Sequence, residues 1–172
     1  DVLSDAFFDA RERDLKKRLT PKRFEHARGV SQTAASLAET YGVDVRKARL
    51  AGLLHDWDKE YGDDAIRERA RAPGVDVAVD PYVLDTMPRL LHGPTAAAEL
   101  VRAYPDLSAD VVPALARPTA AAVGTSDLDM IISIAAATAP SRDLDGPDEV
   151  PAATGPAPPH EPSILTFTHI PL

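Results

Sequence analysis

Residues 51–59 read Ala51-Gly52-Leu53-Leu54-His55-Asp56-Trp57-Asp58-Lys59, and the rest of the chain is organised around them. A small-residue helix face (Ala48, Ala51, Gly52) runs into two leucines and then presents His55, Asp56, Asp58 and Lys59. An imidazole beside a carboxylate suits a hard or borderline divalent metal, because both are ligands once deprotonated. Neighbouring residues within a helix do not share a face, but at a helix end both side chains can converge on one ion. The same dipeptide standing alone also describes a helix end with a solvated charge cluster. Asp58 reads as a surface charge or as a partner of a histidine. The motifs on either side decide between these readings.

Upstream, Ser4 is placed to cap a helix carrying Phe7, Phe8 and Leu15, which ends in Lys16-Lys17-Arg18. Thr20-Pro21 then gives a cap followed by proline at the first helical position. Phe24, Ala27, Val30, Ala34, Leu37 and Tyr41 follow at spacings of three and four, which mark one apolar face. Gly42 suits the left-handed closing position. His26 lies beside that face, where a lone histidine is more often a packed core residue than a metal ligand. Asp44 caps the helix that climbs to His55-Asp56.

Downstream, a short charged helix spans Ala65 to Ala72 and stops at Pro73-Gly74. Val75 to Pro88 reads as a turn-rich connector, and His92-Gly93-Pro94 stands at the entrance of a helix running from Thr95 to Tyr104. Ser108 caps a segment holding Val111, Val112 and Leu115. Ser126 with Asp129 forms a capping box ahead of Met130, Ile131, Ile132 and Ile134. Strand signals are scarce. The expectation is an all-α bundle of about seven helices over residues 1–145. Residues 146–172 hold seven of the sixteen prolines and form an irregular proline-rich tail rather than a second domain.

Composition sets the outer bounds. A chain of 172 residues, 44% hydrophobic and 27% charged, suits one globular domain with a sizeable core. A net charge of −8 opposes nonspecific nucleic-acid binding, which needs a positive face to displace counterions. There are no cysteines, so thiolate sites and disulfides are absent. No apolar run is long enough to span a bilayer, and the first residues lack a signal-peptide pattern. A cytoplasmic protein with no nucleic-acid or membrane partner is expected.

Taken together, Arg23-x-x-His26, His55-Asp56-x-x-Lys59, Leu91-His92-Gly93 and Pro140-x-Arg142 resemble the HD-domain superfamily of metal-dependent phosphohydrolases. The resemblance is to its YqeK branch, the symmetrical bis(5′-nucleosyl)-tetraphosphatases, and covers roughly residues 21–148. It implies an all-α HD fold and a two-metal centre, with iron as the divalent ion and manganese or another divalent metal as alternatives. It also implies a nucleoside polyphosphate substrate, diadenosine tetraphosphate, cleaved to two ADP. By position, His26, His55, Asp56 and His92 match the family's metal ligands. Asp56 and Lys59 carry the catalytic assignment, and Arg23, Lys59 and Arg142 the substrate-binding one. A homodimer is left open.

Two ligand positions depart from that pattern. The family reads His-Thr where this chain has Pro118-Thr119, and Ala-Asp where it has Ala135-Ala136; the family's Glu-Pro pair is Ala139-Pro140 here. Neither a proline nitrogen nor a methyl group can coordinate a metal. Two cations about 4 Å apart need carboxylates to hold them together, and Asp56 is the one carboxylate left at the matched positions. A hydrolase of this kind with weakened activity, a catalytically impaired HD domain that binds nucleotide or a protein partner, and an HD hydrolase of another nucleotide all fit these departures. Restoring both ligands, with Pro118→His and Ala136→Asp together, is expected to raise metal content and diadenosine tetraphosphate hydrolysis. The gain should be at least about tenfold, roughly 1.4 kcal/mol, and more than the single variants combined. A folded, metal-loaded double variant that leaves the substrate untouched contradicts the hydrolase reading.

Overall fold

The structure is a computed structural model and describes residues 1–72, 75, 81–116 and 125–139. Among the described residues eight α-helices follow one another: α1 (Asp5–Arg18), α2 (Pro21–Tyr41), α3 (Val45–Leu54), α4 (Asp63–Ala70), α5 (Pro81–Thr86), α6 (His92–Ala103), α7 (Val111–Ala116) and α8 (Asp127–Thr138). A single 3₁₀ turn at Pro88–Leu91 leads directly into α6. No strand occurs among the described residues.

The caps fix the boundaries. Ser4 accepts from the Phe7 amide, Thr20 from that of Arg23, and Asp44 from those of Arg46 and Lys47. Gly42 closes α2 at φ 70°, in the left-handed region that glycine enters without a Cβ clash. Ser126 and Asp129 form the reciprocal capping box expected at the start of α8. The sequence expectation fails at one helix. The supposed connector between Val75 and Pro88 contains α5, which begins at Pro81, and Val83 and Leu84 pack against Ile66, Ala70 and Leu91. Helix α6 also starts three residues earlier than expected, so His92 lies within its first turn.

The core is built on α2 and α3. Leu15, Leu50, Leu53, Leu54, Leu100, Leu115, Ile131 and Ile132 are buried around them, and α8 packs on both. The two central helices approach unusually closely. A Cβ added at Gly52 would stand 2.8 Å from the Ser31 Cα and 3.0 Å from the Val30 carbonyl oxygen. The Ser31 hydroxyl donates to the Arg49 carbonyl at 2.7 Å, which fastens the same crossing. The small-residue face of α3 therefore sets the distance between the helices that carry His26 and His55. A smaller, separate cluster (Ile66, Ala70, Leu91 with Val83 and Leu84) joins α4, α5 and the 3₁₀ turn. Pro118, Arg142 and residues 146–172 lie outside the described residues.

Gly52 offers a test of this crossing. Within a helix, alanine is favoured over glycine by about 0.5–1 kcal/mol. Overpacking a tight core costs about 1–3 kcal/mol. Gly52→Ala is therefore expected to lower stability on balance, read as a fall in Tm of about 2–4 °C for each kcal/mol lost. An unchanged or raised Tm would show that the α2–α3 separation is not set at this residue.

Candidate metal centre

Helix α3 ends at Leu54, and His55 is its C-cap. Beyond it the chain continues through tight turns, closed by Trp57 N–H to the Leu54 carbonyl, Lys59 N–H to that of Asp56 and Tyr61 N–H to that of Asp58. This winding brings His55 and Asp56 to the same side, which a regular helix would not. The His55 Nδ1 donates to the Gly52 carbonyl at 2.8 Å, and the His92 Nδ1 donates to the Arg89 carbonyl at 2.6 Å. A carbonyl only accepts, so both Nδ1 atoms carry protons, and the Nε2 of each ring is left to face Asp56, as a donor while it holds a proton and as a ligand once that proton is lost. The Nε2 atoms of His55 and His92 both lie 3.4 Å from Asp56 Oδ1. The His26 ring meets the His55 ring edge-on at 5.5 Å between centroids.

His26, His55 and Asp56 each offer a ligand atom, all within 4.8 Å of one another. Two donors bound to one ion at about 2.1 Å, at angles between octahedral and tetrahedral, stand about 3.0–3.4 Å apart. The spacing of Asp56 from both imidazoles is of that size, and the donor set of nitrogen and carboxylate oxygen suits a borderline divalent cation. Burial works against ionisation of Asp56, but His55, a hydrogen bond with His92 and the Lys59 ammonium outweigh it. The carboxyl is held well below the usual carboxylate range. It is an anion ready to ligate.

Lys59 sits 3.4 Å from the His92 Nε2 and 4.0 Å from Asp56 Oδ1. Burial pushes its ammonium down, Asp56 pulls it up, and the nearby Arg23 and Arg89 push it down again. Arg23 lies in the first turn of α2 and reaches Glu60, Nε to Oε1 at 3.3 Å. Ala136 is half-buried on α8, which packs on the helices that carry His26 and His55. Arg142 and Pro118 fall outside the described residues.

Asp58 corrects the expectation of a surface charge or histidine partner. It is fully buried and accepts from Arg69, at 3.0 Å from Nε and 2.8 Å from Nη2, and from Arg18 at 3.2 Å. Glu99 completes the cluster through Arg69, Arg18 and the Trp57 indole, whose Nε1 donates at 3.1 Å. The Arg18 guanidinium lies 4.4 Å over the Trp57 ring. Burial pushes the Asp58 carboxyl up, against the pull of a Thr95 hydrogen bond and of Arg69. Thr95 and Glu99 both lie on α6, which opens with His92. The cluster therefore ties the helix bearing His92 to the turn bearing Asp56. Nothing in the local sequence signals it, because its members are brought together from α1, α4 and α6.

A family model of the HD domain matches residues 23–140. The symmetrical bis(5′-nucleosyl)-tetraphosphatase of Bacillus subtilis is 31% identical over 139 residues, covering 79% of this chain and 71% of the relative. The enzyme of the same name from Staphylococcus aureus is 31% identical over 139 residues, covering 81% and 70%. Among solved structures, a predicted HD superfamily hydrolase involved in NAD metabolism from Clostridium acetobutylicum superposes with a TM-score of 0.72 at 30% identity. That match covers 81% of this chain and 72% of the other. The His55-Asp56 turn and the helical frame around it thus sit in a chain that belongs to the HD domain family, in the branch of the symmetrical bis(5′-nucleosyl)-tetraphosphatases.

Proposed function

We propose that this protein is a metal-dependent phosphohydrolase that splits a symmetrical dinucleoside tetraphosphate, with water, into two nucleoside diphosphates. The observation that carries the reading is the pair of imidazoles with Nδ1 protons committed to carbonyls and Nε2 atoms 3.4 Å from one buried carboxylate. Backbone acceptors that fix the tautomer in this way are the usual support of metal-bound histidine. The names of the 31%-identical relatives supply the substrate class.

His26, His55, Asp56 and His92 would hold a divalent ion, for which iron is proposed and manganese is the alternative. When bound, such an ion lowers the pKa of a ligated water and neutralises charge on phosphoryl oxygens. The chain's own groups do the rest. Asp56 stays anionic at neutral pH and orients what binds beside it. Lys59 places an ammonium next to Asp56 and His92, where it meets the negative charge that grows on the phosphoryl group or leaving diphosphate. Arg23, and Arg142 by resemblance, would bind outer phosphate oxygens bidentately, as guanidinium groups do. The two substitutions, Ala136 and Pro118, leave ligands for one tightly held ion rather than two. Ala136 also favours a second reading, an HD domain that binds its nucleotide and turns it over poorly.

The test is product analysis. Protein reconstituted with ferrous or manganous ion and given diadenosine tetraphosphate is expected to release ADP as the sole nucleotide product, with loss of activity on chelation. Loss of a supporting group around a metal costs about 10–100-fold, so Asp56→Asn should cost at least the upper end of that range. Formation of ATP and AMP would contradict symmetric cleavage. Tight nucleotide binding without turnover would establish the second reading instead.

A further inference from the structure

The spacing that places His26 one turn after Arg23 occurs a second time, as Arg89-x-x-His92. The backbone makes the two arrangements alike. Arg23 and His26 stand three apart in the first turns of α2. Arg89 lies in the 3₁₀ turn that continues into α6, and its carbonyl accepts from the Nδ1 of His92, three residues on. Each histidine of the candidate centre that comes from outside the His55-Asp56 turn is thus preceded, one helical turn back, by an arginine. Residues three apart on a helix share a face. Both arginines rest on a carboxylate from one short stretch: Arg23 on Glu60 at 3.3 Å, Arg89 on Asp63 at 2.9 Å. That stretch follows directly on Lys59, which lies 3.4 Å from the His92 Nε2.

We infer that Arg89 is a second phosphate clamp, which binds polyphosphate oxygens beside the candidate centre in addition to those bound by Arg23. The inference rests on the hydrolase reading above and names a binding residue that the motifs did not mark. Cleavage at the middle of a tetraphosphate leaves two phosphates on either side of the broken bond, so a single clamping cation does not match the charge of the substrate. The Arg89 side chain is 73% exposed. It is therefore free to exchange a weak, screened surface pair with Asp63 for a bidentate bond to a phosphate. The 3₁₀ turn that carries it is anchored from below: Leu91 is buried against Ile66 and Ala70 in the small α4–α5 cluster. Arg67 ties α4 to the end of α5 through the Leu84 and Asp85 carbonyls, at 3.1 and 2.9 Å.

The test is calorimetric titration of metal-loaded protein with ADP and with inorganic tripolyphosphate, beside steady-state kinetics on diadenosine tetraphosphate. Arg89→Ala is expected to weaken binding of both probes about tenfold and to raise KM more than it lowers kcat, with metal content unchanged. Arg89→Lys should recover part of the loss, since it keeps the charge and gives up the bidentate geometry. Asp63→Asn should bind the probes as well as the unaltered protein or better, because it releases Arg89 from its resting partner. Equal affinity of Arg89→Ala and the unaltered protein for both probes would overturn the proposal, whatever the hydrolysis assay gives. Weakened probe binding in a protein that does not cleave the tetraphosphate would leave the clamp standing and remove the hydrolase reading alone.

Discussion

The end of α3 is where the structure is most constrained. A glycine that has room for no Cβ offers its carbonyl to the imidazole three residues later, and the next residue is a nearly fully buried carboxylate. A lone buried anion is costly, and Asp56 is sustained by the two imidazoles and the ammonium around it. Each of those partners depends on a different part of the fold. His55 needs the close α2–α3 crossing, His92 needs the 3₁₀ turn that feeds α6, and Lys59 needs the turns that follow Asp56.

Around that point a second set of charges does structural work. Arg18, Asp58, Arg69 and Glu99 come from α1, the turn, α4 and α6, and each is satisfied by opposite charge. Such a partly buried cluster adds little net stability compared with apolar packing, but losing an arginine leaves the fully buried Asp58 with an uncompensated charge. Its effect is to hold one register: α6 cannot slide along the Asp56 turn without separating Glu99 from Arg69 and Trp57. The distance from His92 to Asp56 is thereby fixed at both ends, by the Arg89 carbonyl on one side and by this cluster on the other.

What the sequence disclosed followed the range of the interactions. Caps such as Thr20, Asp44 and Ser126 act within three residues, and Gly42 needs its own φ alone, so these were legible. The order of His26, His55-Asp56 and His92 was legible as a pattern; ligand atoms of His26, His55 and Asp56 lie within 4.8 Å of one another, and His92 meets that group through Asp56 at 3.4 Å. Helix α5 was hidden because six residues beginning at a proline carry little helical periodicity; Ile66, Ala70 and Leu91 supply the surface that Val83 and Leu84 cover. Asp58 was hidden because its arginines stand 40 and 11 residues away. Arg89 falls between the connector that ended at Pro88 and the helix expected from Thr95, so its spacing from His92 carried no meaning without the 3₁₀ turn that joins them.

The central claim is that one buried carboxylate and the imidazoles around it form a metal site. The most direct measurement is an anomalous difference map from crystals of protein loaded with ferrous or manganous ion, recorded at the edge of that metal. The account predicts a peak about 2.0–2.2 Å from the Nε2 of His55 and an oxygen of Asp56, with His92 and His26 adjoining it. Anomalous density confined to other residues, with Asp56 left ringed by protonated imidazoles, would contradict it.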